Sequence, residues 1–271
     1  MTFETVEKTL QLGAPIELYR FSRGNVRWHY TSADTDQVYD GSTWTAIAMA
    51  RTAMEANAGE MRSALKITLP RDNPVVDMYR VSPPSDVISI VVLRFHLGDN
   101  DPRTVWSGRV LNVEWRGVTA SMSCEPASVS MNRNGLRRLY SRQCPHRLYG
   151  PACSVTRASY DVPAVVDAVS GATITCSEFA ALPTGYLSGG IFEWENGPHT
   201  ERRAILSHAA GGQITITHII SGIPVGANVI AAPGCDHTTG ANGCGRFNNL
   251  VNFGGFPYIP TKNPHGGSPI Y

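Results

Sequence analysis

Four of the six cysteines in this 271-residue chain form two pairs of equal spacing. Cys144 and Cys153 bound CPHRLYGPAC, Cys235 and Cys244 bound CDHTTGANGC, and eight residues separate the members of each pair. Thiolates are reactive, and four brought together can hold a tetrahedral zinc ion or an iron–sulfur cluster. Neither pair has the short C-x2-C spacing of common zinc ribbons and ferredoxins. Spacing alone therefore leaves three readings open: a metal centre, two disulfides, or unpaired structural thiols. His146 and His237 each stand two residues after the first cysteine of a pair. They read as alternate ligands or as exposed loop histidines. Gly150, Gly240, Gly243 and Gly245 give the backbone freedom that a shared centre needs. Cys124 and Cys176 lie in strand-like patterns and read as small buried hydrophobes.

The residues after the second pair are distinctive. Asn248-Asn249, Asn252-Phe253-Gly254-Gly255-Phe256-Pro257 and Ile259-Pro260 follow Cys244, and Leu148-Tyr149-Gly150 lies inside the first pair. With the four cysteines, these segments resemble the tail-tip (baseplate) hub family of long, non-contractile tailed phages and gene transfer agents. The resemblance is weak at the N-terminus and strong from about Trp106 onward. It implies a structural virion protein of the tail tip, assembled in the bacterial host cytoplasm, rather than an enzyme. It also implies a homotrimeric ring, below the distal tail protein and above the central fibre. A structural iron–sulfur cluster of the four-iron (4Fe-4S) type would sit on Cys144, Cys153, Cys235 and Cys244, with zinc as the alternative metal. Phe253, Phe256 and Tyr258 read as a flap shielding the metal loops from water, or as a subunit contact.

Other functions fit the sequence less well. There is no nucleophile elbow, P-loop, dinucleotide-binding glycine pattern or His-Glu-x-x-His. Cys144 and His146 sit too close in one tight loop for a thiol nucleophile and its base. Glu193 and Glu195 share a strand face and read as a solvated edge. A free-standing zinc- or iron-binding hydrolase would need an open metal position, and a disulfide-stapled surface adhesin would need no metal. A net charge of +1 gives no general field for nucleic acid or an anionic membrane. No apolar run approaches the ~18 residues of a membrane-spanning helix. Residues 1–12 carry Glu4, Glu7 and Lys8 and lack an apolar segment, so no secretory signal is expected. A cytoplasm keeps thiols reduced and favours metal over disulfide.

These loops must be carried by strands. The chain has 26 glycines and 18 prolines and is 17% charged, which favours short strands and turns. The expected fold is mainly β. Residues 1–130 form a β-barrel or sandwich hub domain, 131–143 a basic linker, and 144–271 a small β domain ending in an extended arm from 245. Residues 3–11 suggest a short amphipathic helix. Alternation predicts strands over 16–21, 26–30, 64–69 and 105–115, and 87–97 reads as a long central strand. Asn73-Pro74 opens one short helix. Trp28, Trp44, Trp106 and Trp115 read as core and rim packing. Arg133, Arg137, Arg138 and Arg142 read as a solvated face or a contact with an acidic neighbouring subunit. Beyond 160, strands are expected over 164–168, 173–176, 189–194, 201–208, 213–220 and 229–232.

Overall fold

A computed structural model describes residues 15–54, 64–96, 102–132, 135, 138–218 and 223–260. The expected helix at 3–11, Arg133, Arg137 and Ile220 lie outside the described residues. The chain divides into two compact units, residues 1–133 and 134–271.

The first unit is built on one nine-stranded sheet. In chain order its strands are β1 (Pro15–Arg23), β2 (Val26–Thr31), β3 (Gln37–Tyr39), β4 (Ser42–Ala46), β5 (Ala50–Arg51), β6 (Leu65–Pro70), β7 (Ser89–His96), β8 (Arg103–Arg116) and β9 (Thr119–Pro126). Their order in space is β3-β4-β2-β1-β7-β8-β9-β6-β5, so the strand expected to be central is central. The neighbours are antiparallel except β2 and β4. The expected barrel or sandwich is met in part: the strands form one half-barrel sheet, and among the described residues no ladder joins its end strands β3 and β5. Bulges let the 14-residue β8 bend against both neighbours.

Alternation explains which side each strand buries. Leu65, Ile67 and Leu69 point in while Lys66 and Thr68 point out. Tyr19 and Phe21 of β1 join the same core, and Leu18 faces a smaller cluster with Trp44 and Phe95. The helix α1 (Pro74–Asp77) starts where Asn73 Oδ1 accepts the Val75 N–H at 2.9 Å, and it buries Val75 and Val76. Gly108 sits where a Cβ would fall 2.1 Å from the Glu125 carbonyl oxygen of β9 and 2.4 Å from the Trp106 ring, so the close approach of β9 demands glycine. Glu17 is gripped by Arg51, by Arg94 at 2.9 Å and by Tyr19 at 2.6 Å. Burial pushes its pKa up, but hydrogen bonds from Arg51, Tyr19 and Arg94 outweigh that and hold it at about 2.

The second unit carries a seven-stranded antiparallel sheet. Its strands are β10 (Val162–Val165), β11 (Ala168–Ser170), β12 (Thr173–Thr175), β13 (Ile191–Asn196), β14 (His199–His208), β15 (Gln213–Ile216) and β16 (Asn228–Ala232). They are arranged β10-β16-β13-β14-β15-β12-β11. Phe179, Leu187, Phe192, Ile205 and Ile214 centre the core. The strand expected over 164–168 divides in two because β10 pairs with β16 while β11 pairs with β12. The strand expected over 213–220 stops at Ile216, and Thr217 turns its N–H to Ala204. Cys176 falls just beyond β12, fully buried, at the entry to a 3₁₀ turn.

Glu193 is the largest surprise on this sheet. It is no solvated edge: it is 8% exposed and bound bidentately by Arg157 at 2.7 and 2.6 Å and by Arg202 at 2.6 Å. Burial pushes its carboxyl up, and the hydrogen bonds and charges of the two arginines hold it below its ordinary value. Glu195, two residues on, is exposed and accepts only the Thr200 hydroxyl among the described residues.

Candidate metal centre

Each cysteine pair sits in a loop whose own hydrogen bonds shape it. In the first loop the Gly150 carbonyl accepts the N–H groups of Cys153 and Ser154, and Tyr149 takes a positive φ of 58°. Tyr149 Oη then donates to the Pro233 carbonyl at 2.8 Å, tying this loop to the approach to Cys235. In the second loop Asp236 Oδ1 accepts from the Thr238 N–H and hydroxyl at 2.9 and 2.8 Å, and the Cys244 N–H returns to the Thr238 carbonyl at 2.8 Å. That turn admits no side chain at Gly243, where a Cβ would lie 2.0 Å from the Thr238 oxygen.

The two loops are stitched together across 93 residues. The Cys144 N–H donates to the His237 carbonyl at 2.9 Å, and His237 Nδ1 lies 2.9 Å from the Cys144 carbonyl. A carbonyl only accepts, so Nδ1 carries the proton and is not a free ligand atom. His146 Nε2 lies 3.4 Å from Arg138 Nη2 and packs against Gly254.

The four thiols gather at this seam. Burial, followed by the charges of Cys235, Cys144 and Cys153, pushes Cys244 up to about 11. Burial pushes Cys235 up too, with Cys153 and Cys144 adding to it. Cys144, Cys153 and Cys244 are buried, and Cys235 is partly exposed. Three of the sulfurs face N–H donors: His237 N on Cys235 at 3.3 Å, Gly254 N on Cys144 at 3.4 Å, and Asn249 Nδ2 on Cys153 at 3.6 Å. Such donors stabilise thiolate over thiol. Among the described residues no group of three or more His, Cys, Asp and Glu closes to the spacing of one metal ion's ligands. Cys124 belongs to the core of the first unit and is pushed up to about 12 by burial, as a neutral core thiol is.

The expected extended arm is corrected over 245–260: it folds back on the first loop. Asn249 Nδ2 donates to the Cys153 carbonyl at 2.6 Å, and the Phe256 N–H to Ser141 at 2.9 Å. Gly254 and Gly255 press so closely that a Cβ would meet His146 at 2.2 Å and the Arg142–Gln143 backbone at 2.7 Å. Phe247, 6% exposed, stands edge-on to Tyr149 and Tyr160. Phe253 is half-buried, Phe256 is 46% exposed and stacks on Tyr140, and Tyr258 is 97% exposed. Like Phe247, Asn249 has no role assigned from the sequence, although its Asn-Asn pair shortly after a cysteine marked the place.

Comparison with known proteins agrees with this architecture. Residues 17–156 match the family model described as baseplate hub protein, N-terminal attachment domain, and residues 185–263 match phage conserved hypothetical protein BR0599. A solved chain of the virion of a native gene transfer agent particle has the same fold, with a TM-score of 0.80 at 14% identity, over 99% of this chain and 96% of that one. An uncharacterized protein of Xylella fastidiosa (strain 9a5c) is 26% identical over 223 residues, covering 72% of this chain and 45% of the relative. The chain thus spans about half the length of the curated relative it matches. With more than half its residues inside the attachment-domain model, and a second phage family model over its cysteine-bearing end, the chain belongs to the phage baseplate hub protein family.

Proposed function

We propose that this member of the hub family is a non-catalytic ring subunit of a tail tip, in which three copies join the distal tail protein to the central fibre. Its second unit holds a structural iron–sulfur cluster of the four-iron type on Cys144, Cys153, Cys235 and Cys244. What supports the metal reading is that two distant loops, tied at Cys144 and His237, bring four thiols within reach of one another's charge, three of them facing N–H donors. When bound, the cluster supplies strong bonds between loops and no reaction.

The chain's own residues do the rest. Asn249, Gly254 and His237 donate toward the sulfurs and offset their negative charge. Phe247 and the Gly254-Gly255 turn keep water from the first loop. Metal affinity becomes folding free energy, because the unfolded chain has no preformed site.

Iron, acid-labile sulfide and zinc measured on protein purified without oxygen test this reading. Iron and sulfide in matching amounts, lost in Cys144→Ser and Cys235→Ser, are the expected result. Zinc alone would keep the thiol site and replace the cluster. Absence of metal, with two disulfides by mass, overturns the metal centre.

A further inference from the structure

The outer face of the second sheet, at its β10 edge, opens into a groove of about 530 Å³. Pro163, Val165 and Ile230 line it, and Val165 and Ile230 are 38% and 39% exposed. Glu178 and Glu195 line it too. Glu178 accepts from the Val165 N–H and the Ser177 hydroxyl, Glu195 from the Thr200 hydroxyl, and neither meets a cation among the described residues. The groove is therefore apolar, with two unmatched carboxylates beside the Glu193–Arg157–Arg202 cluster on its wall.

The same unit presents a surface of opposite character. Leu139 and Tyr140 are 79% and 73% exposed, Tyr140 being propped by its stack on Phe256. Arg138 and Arg142 flank them. Arg138 reaches only His146, Arg142 only the Pro257 carbonyl, and neither meets a carboxylate among the described residues. Large exposed apolar side chains between unmatched charges mark a surface that another molecule covers.

We propose that the groove receives Leu139 and Tyr140 of a second copy of this chain, with Arg138 and Arg142 facing Glu178 and Glu195. The groove offers apolar walls for the two side chains and carboxylates for the two guanidinium groups. The two surfaces share no residue, so the contact is head-to-tail and closes into a ring when the rotation between copies permits. This rests on the ring proposed above and adds which surfaces make it.

Light scattering on the full, metal-loaded chain tests it. Ile230→Asp in the groove, and Arg138→Glu with Arg142→Glu on the knob, each weaken self-association by about tenfold or more. Adding Glu178→Arg and Glu195→Arg to the knob variant restores it, since every contact then carries reversed charges. Unchanged circular dichroism and metal content show that the variants fold, Ile230 lying five residues before Cys235. A wild-type trimer that all these variants still form overturns the groove contact and leaves the ring intact. A wild-type chain that stays monomeric at every concentration overturns the ring and the contact with it.

Discussion

Asn249 shows how much one side chain does at the metal loops. Its amide donates to the Cys153 carbonyl at 2.6 Å and to the Cys153 sulfur at 3.6 Å, while its oxygen accepts from Asn252 at 2.7 Å. Asn249→Ala strands a buried carbonyl and costs about 1–3 kcal/mol. Urea unfolding should show this loss, and iron held at the proposed centre should leave the variant faster on exposure to chelator. Gly255 makes a different demand. A Cβ there meets backbone rather than a movable side chain, so Gly255→Ala must displace the chain at Arg142–Gln143 and costs about 1–3 kcal/mol. Gly197→Ala, at a turn with open space but a φ of 61°, is the matched control for strain without collision.

At the scale of elements, β13 is where a charge is built into a sheet. Arg157 holds Glu193 bidentately from outside the strand, and Arg202 from the neighbouring β14. Arg157→Met leaves a buried carboxylate with one partner and destabilises by about 3 kcal/mol. Thermal unfolding should show the loss relieved in the double variant with Glu193→Gln. Patterns of period two made most strands of both units legible, because one buried face imposes alternation. Leu65, Ile67 and Leu69 in β6 show it plainly. The split between β10 and β11 was hidden, since the residues stay strand-like while their partners change. Sheet closure was hidden too, because alternation says which face is buried and nothing about which edges meet. At the site, spacing and type revealed the four cysteines, whereas Phe247 and Asn249 owe their roles to a chain reversal that leaves no periodic trace.

Across the whole molecule two depressed carboxylates, Glu17 in the first unit and Glu193 in the second, make folding sensitive to acid. Glu17 has a pKa near 2 when folded against an ordinary value of 4.5, and its side chain is 12% exposed. A depressed carboxylate stabilises fully above pH 4.5, and its contribution of about 3 kcal/mol fades as pH falls from 4.5 toward 2. Unfolding free energy measured across that window should fall steeply in the wild type. Glu17→Gln, less stable at neutral pH, should show a shallower decline. The hub family supplies the setting in which such a unit works, and the ring proposed here would place three copies of these ion pairs in one tail tip.

The stitching of Cys144 to His237 and to Gly254, 93 and 110 residues further on, has a consequence for synthesis. A ribosome adds roughly 5–20 residues per second. The first cysteine loop therefore emerges on the order of 10 s before its partners exist. During that interval the first unit can fold to completion, while Cys144 and Cys153 stay open to nearby thiols and metals. Chains that stall before Gly254 would leave that loop without the backbone N–H that faces Cys144.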